Sequence, residues 1–480
     1  MKISAHAVGR MVGTWQEGSG PAHQRLSDRL RLLILDGRLC LGAALPGERD
    51  LATALGTSRT TVGAAYRTLV DHGYLATRER ARATVRLPHE DPAPARRRAG
   101  TDAEAIDLSF AAPPAPSEIL HAAFATALER LPLHFERHGY DRYGTVELRE
   151  AVAGWYGRRG LPTSPDHVMI TNGAQHAIGL LARTLLSPRD SVLIDHPTYP
   201  HAIRAFTDAR ARLLPVAVGP SGWDVPQLLA ASRSAQLAYL IPDFHNPTGM
   251  YMSAGVRRSL RPACPTIIDE TLADLGLAAA GDADPDPDPA LDPAPDAEPF
   301  AAHHPTAVSV GSVSKSIWGG LRIGWIRAVP ALLERVARAR PATDLGTPVV
   351  EQLATAALLN AGQTRRPEAL RQLRAQQDSL LAALAEHLPE VHAPRAAGGV
   401  TLWARFPEPV ASRLAAIAPD HGVTIAAGPQ FGVGGAFERH VRLPYTLPPP
   451  RLTEAVRRLA AAHRALTAGA AGTHTPAPVA

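Results

Sequence analysis

The chain has 480 residues, of which 45% are hydrophobic and 20% charged, so it is long enough for two or more globular domains. Its two cysteines, Cys40 and Cys264, lie far apart and outside any CxxC pattern, which argues against a disulfide framework or a structural zinc site. We find no apolar run of about 20 residues and no signal-peptide core, and therefore expect a cytoplasmic protein without a membrane partner.

Positive charge is concentrated at the N-terminal end. Residues 1–100 contain 16 Lys and Arg against 9 Asp and Glu, whereas the whole chain has a net charge of only +5. A basic segment attached to a nearly neutral body is typical of a module that binds a polyanion. A merely solvated basic surface would give the same pattern, so charge alone leaves the function of this end open.

The first predicted domain covers residues 21–88 and follows an N-terminal tail at 1–20. After an amphipathic segment, the pattern predicts a short helix at 48–55 and a second helix at 59–72, which Ser58 can cap. Two short helices joined by a tight turn that contains glycine form a helix-turn-helix. The string GYLATRERARATVRL then predicts the two strands and basic tip of a wing.

The start of the second helix is where a helix-turn-helix meets DNA, because its side chains reach base edges and its free amides reach phosphate. Arginines at the first helix and in the wing can add contacts to the DNA backbone or groove. The predicted DNA-contacting residues are Arg49, Arg59, Thr60, Thr61, Arg80 and Arg82. From spacing alone, a generic three-helix bundle with exposed arginines remains the alternative.

The string LPGERDLATALGTSRTTVGAAYRTLVDHGYL resembles the winged helix of the GntR family, and the resemblance covers residues 21–87. It implies DNA binding rather than a generic bundle. There are two departures from the family pattern. Residues 80–83 replace glycines that are common in the family's wing, and Gly63 lies in the recognition helix, where glycine is a poor helix former.

A linker separates this domain from a much larger one. Residues 89–104 are rich in Pro, Ala and Arg and lack apolar periodicity, which is typical of an extended linker. The large domain is predicted over 105–466, with a disordered Asp-Pro insertion at 282–299 and a C-terminal tail at 467–480.

The large domain alternates apolar runs with helical patterns. The runs end in polar or glycine-rich turns: VMITNGAQ, SVLIDHPTY, LAYLIPDFHNPTG, TIIDET, AVSVGSVSK and RIGWIRA. Helical patterns such as AIGLLARTLL lie between several of them, which predicts a mainly parallel sheet with crossover helices. Ligands of such folds bind at the carboxyl ends of the strands.

Lysine usage directs attention to position 315. Of the 50 basic residues, 48 are Arg and two are Lys, at positions 2 and 315. An amine can lose its proton and attack a carbonyl, whereas a guanidinium stays protonated, so an internal lysine in such a chain indicates Schiff-base chemistry. We expect Lys315 to bond the aldehyde of pyridoxal 5'-phosphate.

Other residues at the strand ends suit the remaining groups of this cofactor. Asp269 can pair with the pyridinium nitrogen, Asn246 can donate to the phenolate oxygen, and Tyr199 can stack on the ring. Amides at a helix N-terminus, hydroxyls and a guanidinium can bind the phosphate. The predicted phosphate-binding residues are Asn172, Gly173, Ala174, Gln175, Ser312, Ser314 and Arg322. Singly, each has an ordinary structural explanation, so the signal is the ordered set.

Residues 105–465 resemble the fold-type I aminotransferases throughout, including DRYGTVELREAVAGWY and HVRLPYTL. The resemblance implies that Arg442 binds the carboxylate of an amino-acid ligand and that Gly398 and Gly399 leave room beside it. One departure is Thr271, which stands where such proteins often have a tyrosine that contacts the phenolate oxygen.

A GntR-type winged helix followed by an aminotransferase-like domain resembles the MocR subfamily of bacterial regulators. The expected fold class is multi-domain, with an N-terminal winged helix-turn-helix and a C-terminal α/β pyridoxal-phosphate-dependent transferase fold of type I, divided into a large and a small subdomain. The resemblance implies a head-to-tail homodimer in which each DNA-binding domain lies against the partner's large domain and Tyr140 or Tyr143 reaches the partner's cofactor. Two winged helices suit a repeated or palindromic operator in double-stranded DNA.

The function indicated is a transcriptional regulator that senses pyridoxal 5'-phosphate, or an amine or amino-acid effector, through an aldimine at Lys315. Ligand binding would then reposition the winged helices. Two alternatives remain. One is an aminotransferase that carries a DNA-binding appendage, and the other is a regulator whose large domain is a cofactor-free relic, which the retained lysine disfavours.

Overall fold

The computed structural model describes residues 3–16, 20–35, 38–39, 42–77, 82–86, 105–277 and 298–471. The predicted linker at 89–104, most of the predicted Asp-Pro insertion, Arg80, and the C-terminal tail beyond residue 471 lie outside the described residues.

The secondary structure consists of the following elements. The helices are α1 (Ala5–Val12), α2 (Ala22–Leu35), α3 (Glu48–Leu55), α4 (Arg59–Asp71), α5 (Ser117–Arg130), α6 (Val146–Arg158), α7 (Ala174–Leu185), α8 (Pro200–Asp208), α9 (Val225–Ser232), α10 (Ala254–Ser259), α11 (Phe300–His303), α12 (Pro330–Ala339), α13 (Val349–Asn360), α14 (Pro367–His387), α15 (Ala411–Ile417) and α16 (Pro449–Ala471). The strands are β1 (Leu75–Ala76), β2 (Thr84–Val85), β3 (Ile106–Leu108), β4 (Val168–Thr171), β5 (Ser191–His196), β6 (Arg212–Gly219), β7 (Gly222–Trp223), β8 (Leu237–Leu240), β9 (Thr266–Asp269), β10 (Val308–Ser312), β11 (Gly324–Arg327), β12 (Thr401–Arg405), β13 (Val423–Ala427) and β14 (His440–Pro444). Among the helices described, none is both long enough and apolar enough to cross a bilayer.

The front domain is a winged helix. Helix α3 ends at Gly56 in the left-handed conformation, and α4 begins after Ser58, whose hydroxyl accepts the N–H of Thr61 at 3.0 Å. Strands β1 and β2 pair antiparallel, with Leu75 opposite Val85. The predicted helix-turn-helix and the two predicted wing strands are therefore confirmed.

Residues 1–20, predicted as a tail, contain a helix instead. Helix α1 begins after Ser4, whose hydroxyl accepts the N–H of Ala7 at 3.2 Å. Val8, Val12 and other apolar residues of this segment are buried in the front-domain core with α2 and α4. At eight residues, α1 is too short for apolar periodicity to indicate a helix, and its stability depends on this packing.

The large subdomain contains an eight-stranded sheet in the order β4-β11-β10-β9-β8-β5-β6-β7. The pairs from β10 through β9, β8 and β5 to β6 are parallel, whereas β11 runs antiparallel to both of its neighbours. Strands β8, β9 and β10 are buried along their whole length, as expected for parallel strands covered by helices on both faces. The mainly parallel sheet predicted from the sequence is confirmed.

The small subdomain contains a four-stranded sheet in the order β12-β14-β13-β3. Strand β3, from the beginning of the large domain, pairs parallel with β13 near the end of the chain. Helices α14 and α16 pack against each other on this sheet, around buried residues such as Leu380 and Leu459. Helix α16 continues to Ala471, beyond residue 466 where the domain was expected to end.

The front domain contacts the small subdomain of the same chain through α2 and α15. The Nη1 atom of Arg29 lies 3.3 Å from Oε1 of Glu438 and 3.2 Å from Oγ of Ser412. The Nε atom of Arg413 lies 3.8 Å from Oδ2 of Asp28. The head-to-tail contact expected with a partner concerns a second chain and stays a prediction.

Candidate functional site

The predicted cofactor residues meet at the carboxyl edge of the eight-stranded sheet. Asp269 ends β9, Ser312 ends β10, and residues 172–175 follow β4. Lys315 lies close enough to Asp269, Arg322 and Arg442 for their charges to shift its pKa. Residues from distant parts of the sequence are therefore brought together because their strands end side by side.

A cradle for an anion lies at the N-terminus of α7. Gly173 precedes the helix with a φ of +88°. The first helical hydrogen bond runs from the N–H of Ala177 to the carbonyl of Gly173 at 3.2 Å, so the N–H groups of Ala174 and Gln175 have no partner within the helix. The exposed Arg322 donates through Nη2 to the carbonyl of Asn172 at 3.0 Å. A Cβ atom at Gly173 would lie 2.8 Å from that nitrogen. Glycine is thus required here, and the guanidinium stands beside free amides that favour a phosphate.

Two hydroxyls flank the same region. The Oγ atoms of Ser312 and Ser314 are 2.6 Å apart, and Ser312 donates to the carbonyl of Ile323 at 2.9 Å. Ser314 and Lys315 belong to a single π-helical turn, Ser314–Trp318, a conformation that is frequent at functional sites.

The side-chain amides of Asn172 and Gln175 have different hydrogen-bond partners. The side chain of Asn172 donates to Asp344 at 2.6 Å, so only its backbone is directed to the cradle. Gln175 donates to the carbonyl of His201 at 3.1 Å, and its buried amide oxygen has no partner among the residues described.

The side chain of Lys315 is half-buried, and its Nζ donates to the carbonyl of Ala111 at 2.6 Å. Burial, together with the positive charge of Arg442, lowers the pKa of this amine to about 8, although Asp269 acts in the opposite direction. A useful fraction of the amine is therefore neutral near physiological pH, as attack on an aldehyde requires.

Asp269 is buried and held by two hydroxyl groups. Tyr239 donates to its Oδ2 at 2.6 Å, and Thr271 donates to Oδ1 through its amide at 2.9 Å and also through its hydroxyl. Burial raises the pKa of Asp269, and these hydrogen bonds oppose that rise. Thr271, the departure noted in the sequence, thus orients the carboxylate. Tyr239 was missed, although a tyrosine in an otherwise apolar buried strand signals a partner for its hydroxyl.

Asn246 and Tyr199 follow neighbouring strands at the same edge. The buried amide oxygen of Asn246 has no hydrogen-bond partner in the part of the chain described. Burial, reinforced by Asp269, raises the pKa of Tyr199 to about 12, so its phenol is neutral. The unpaired amide and the neutral ring are suited to a polar aromatic ligand.

Arg442, on β14, is only 7% exposed. Its Cζ lies 5.0 Å from the centre of the Phe431 ring, and Nη2 donates to the carbonyl of Ser109. Burial lowers its pKa to about 10. No carboxylate among residues 105–277 and 298–471 forms an ion pair with it, so a ligand carboxylate can satisfy this buried charge.

The structure accounts differently for the two glycines expected beside Arg442. A Cβ at Gly398 would lie 2.4 Å from the ring of Phe244 and 2.5 Å from the carbonyl of Leu275. At Gly399, with a φ of +80°, it would lie 3.2 Å from Phe244. These glycines admit the Phe244 ring and a backbone bridge, and their expected role beside a ligand stays a prediction.

The predicted DNA-contacting residues in the described part of the chain lie on the outer face of the helix-turn-helix. The side chain of Arg59 is 75% exposed, with Nε 3.2 Å from Oε2 of Glu48. Thr60 and Arg49 are exposed, and Thr61 is partly buried. On the wing, Nη2 of Arg82 lies 3.9 Å from Oδ2 of Asp50.

Glu48 also explains the glycine in the recognition helix. A Cβ at Gly63 would lie 3.2 Å from Oε1 of Glu48. The small residue therefore leaves room for the carboxylate that holds Arg59 across the start of α4. Sequence reasoning missed Glu48 because the contact depends on how α3 packs on α4.

Both parts of the chain match known families. Residues 105–459 match the family model for aminotransferase class I and II, and residues 22–85 match the one for bacterial regulatory proteins of the gntR family. A 2-aminoadipate transaminase of Thermus thermophilus is 32% identical over 334 residues, which cover 68% of this chain and 81% of that protein. The uncharacterized HTH-type transcriptional regulator YdcR of Escherichia coli is 28% identical over 466 residues, which cover 88% of this chain and 94% of that protein.

A solved structure is also similar. The α-aminoadipate aminotransferase LysN of Thermus thermophilus, complexed with N-(5'-phosphopyridoxyl)-L-leucine, superposes with a TM-score of 0.67 and 28% identity. The match covers 76% of this chain and 93% of that one.

The lowered pKa of Lys315 can be measured because the chain has only one other lysine, Lys2. Acetylation of the ligand-free protein across pH should give Lys315 a midpoint at about 8, because only the neutral amine reacts. Below that pH the rate should fall about tenfold per unit, and above it the rate should level off. Peptide mass spectrometry separates the two lysines in one sample. Replacing Arg442 with Met should raise the midpoint, and a wild-type midpoint near 10.5 would contradict the site geometry.

Proposed function

We propose that this chain, which belongs to the aminotransferase class I and II family, is a transcriptional regulator controlled by pyridoxal 5'-phosphate and an amine or amino-acid effector. It also carries a gntR-family regulatory domain, and the two domains together form the architecture of the MocR subfamily. This proposal rests on one observation: the winged helix packs against the large domain that contains the ligand site. That site presents the half-buried amine of Lys315 and the buried guanidinium of Arg442.

Pyridoxal 5'-phosphate fits the residues of the site. Free amides of α7 and the guanidinium of Arg322 would hold its phosphate, and Asp269 would pair with the ring nitrogen. Asn246 would donate to the ring's oxygen through its amide nitrogen, and Tyr199 would stack on the ring. When bound, the cofactor would supply an aldehyde carbon to which the amine of Lys315 or the amine of a ligand can bond.

Arg442 then selects ligands that carry an anionic group. The pKa of Arg442 stays well above physiological pH, so its guanidinium is charged. The guanidinium is already removed from water in the folded chain, so ligand binding does not add the free-energy cost of desolvating it. An amino acid can offer its amine to the cofactor and its carboxylate to Arg442 at the same time. A simple amine would use only the first contact and would bind more weakly.

DNA binding follows from the front domain. The N-terminal end of α4, the recognition helix, carries Arg59, Thr60 and Thr61, and this is the end that contacts bases and phosphates. The ligand controls this binding only if it favours one arrangement of the winged helix over another. Since operator DNA is the target, we place the protein in the cytoplasm.

We further propose that the protein is a dimer. Several large apolar side chains on α5 and the loop after it are exposed, by 59% at Leu128, 74% at Leu133, 69% at Phe135 and 64% at Tyr140. Large apolar side chains exposed together along one stretch of chain favour an interface over a water-facing surface. A second copy of the chain is the natural occupant, because two winged helices would then bind the two halves of an operator.

The likeness to transaminases supports a second candidate, an aminotransferase with a DNA-binding appendage. Lys315 and the residues that hold the cofactor are equally compatible with turnover. Steady conversion of an amino acid and a keto acid would favour the enzyme, whereas a single half-reaction or none would favour the regulator.

Replacing Arg59 with Ala should weaken binding to the DNA upstream of the protein's own gene by about 1–3 kcal/mol, because a charged base or phosphate contact is lost. Arg457→Ala is the matched control, since Arg457 is also an exposed arginine paired with a carboxylate, at 2.7 Å. Anisotropy titration at fixed salt measures both. Equal affinity of Arg59→Ala and wild type would remove Arg59 from the interface.

Borohydride reduction of the protein with pyridoxal 5'-phosphate should leave a pyridoxyl group on Lys315, because its amine carries the cofactor. Mass spectrometry of the peptides detects the adduct. Lys315→Ala should give none and should lose the visible absorbance of the bound cofactor. An unmodified Lys315 in wild type would exclude the proposed sensing chemistry while leaving DNA binding intact.

The double variant Leu133→Asp, Phe135→Asp should sediment as a monomer, because carboxylates in an apolar contact are strongly destabilising. Sedimentation velocity compares it with the wild type, and circular dichroism verifies that it is folded. A monomeric wild type, or a folded variant that remains dimeric, would contradict the proposed interface.

A further inference from the structure

One short segment of the small subdomain contacts both the ligand site and the front domain. It comprises residues 431–438 and lies between β13 and β14. Phe431, at its start, packs under the guanidinium of Arg442, and Glu438, at its end, pairs with Arg29 of α2.

At the ligand end, the segment is attached to the loop that carries Tyr199. The carbonyl of Phe431 accepts the N–H of Thr198 at 2.8 Å. The N–H of Val433 is donated to Nε2 of His196 at 3.1 Å. A ligand that moves Arg442 or Tyr199 therefore acts on both supports of the segment's first half.

The second half of the segment has a strained backbone. Phe437 has a φ of +70°, a left-handed conformation that side chains other than glycine rarely adopt. Its ring is held 4.6 Å from the ring of His196 and 5.8 Å from that of Trp403. Packing against the ligand-site loop thus maintains this strained conformation.

At the other end, Glu438 joins the segment to two elements. It accepts the N–H and the hydroxyl of Ser412 at 3.1 and 2.6 Å, and its Oε1 lies 3.3 Å from Nη1 of Arg29. Arg29 is 4% exposed, and its Nε donates to the carbonyl of Val12 at the end of α1. The position of Glu438 is therefore transmitted to two helices of the winged helix.

Backbone contact reinforces this connection. A Cβ at Gly13, just after α1, would lie 2.0 Å from the carbonyl oxygen of Gly434. A Cβ at Gly435 would lie 3.0 Å from the carbonyl oxygen of Val12. The front domain can rest on the segment in this way only while these positions lack side chains.

We propose that residues 431–438 couple ligand binding beside Arg442 to the position of the winged helix. The inference rests on the proposed function and specifies its regulation. An anionic ligand group competes with the Phe431 ring for the guanidinium of Arg442, so ligand-free and ligand-bound sites favour different positions of the segment. The Arg29–Glu438 pair and the Gly13–Gly434 contact carry that difference to α1 and α2.

The test compares Gly13→Ala with Gly42→Ala in the full-length chain. Both glycines have positive φ, +62° and +74°, but a Cβ at Gly42 meets nothing within 4 Å, so the control reproduces the backbone strain without the clash. The probe is N-(5'-phosphopyridoxyl)-L-leucine, which combines the phosphopyridoxyl group with a carboxylate. Anisotropy with the upstream DNA of the protein's own gene gives the affinity with and without the probe.

We expect the probe to change the DNA affinity of wild type and of Gly42→Ala by at least about fivefold. In Gly13→Ala the ratio should fall to about one, although DNA and probe each still bind. Glu438→Gln, which keeps the shape of the side chain and removes its charge, should also reduce the ratio and serves if Gly13→Ala does not fold. Hydrogen exchange of peptides 5–16 and 431–438 should change together on probe binding in wild type and in Gly42→Ala but not in Gly13→Ala.

The possible failures are distinguishable. If the wild type binds no DNA, the proposed function itself is wrong. The proposed coupling through residues 431–438 is wrong if the wild type binds both DNA and probe but the probe does not change its DNA affinity. It is also wrong if both Gly13→Ala and Glu438→Gln respond to the probe as the wild type does. In either case the DNA-binding function stands.

Discussion

Three cations converge on the ligand site, and none of them forms an ion pair with a carboxylate of the described chain. Lys315 donates to the carbonyl of Ala111, Arg322 to that of Asn172, and Arg442 to that of Ser109. Carbonyl groups hold these side chains in place but do not neutralise them. The site therefore has an excess of positive charge that a doubly charged phosphate and a carboxylate are suited to satisfy.

This arrangement differs from that of buried arginines elsewhere in the fold. Arg257 is 1% exposed and lies 2.7 Å from Asp243, and Arg340 is buried and lies 2.6 Å from Asp344. Each of these guanidinium groups has a carboxylate partner without a ligand, so we regard the pairs as structural. Arg257 and Arg340 are thus paired where they support the fold, whereas Arg442, where the sheet opens to a ligand, has no carboxylate partner among the residues described.

Local signals made much of the molecule predictable. The glycine that ends α3, the serine that caps α4 and the six apolar runs were readable because each reflects a short stretch of chain, and the scarcity of lysine directed attention to Lys315. Features that depend on packing between distant segments were not readable. Tyr239 on Asp269, Glu48 beneath Arg59, and the helix within residues 1–20 required the folded chain.

Two arginines of the DNA-facing surface, Arg59 and Arg82, unlike those of the ligand site, already have carboxylate neighbours. Arg59 contacts Glu48, and Arg82 lies near Asp50, with all four side chains at least 39% exposed. Because exposed pairs of this kind contribute only about 0–1 kcal/mol, DNA can break or share them at little cost. Meanwhile they hold the guanidinium groups in place and reduce the positive charge available to any polyanion. Non-specific binding to DNA is thereby weakened. A DNA sequence that contacts these arginines more strongly than the carboxylates do is bound in preference.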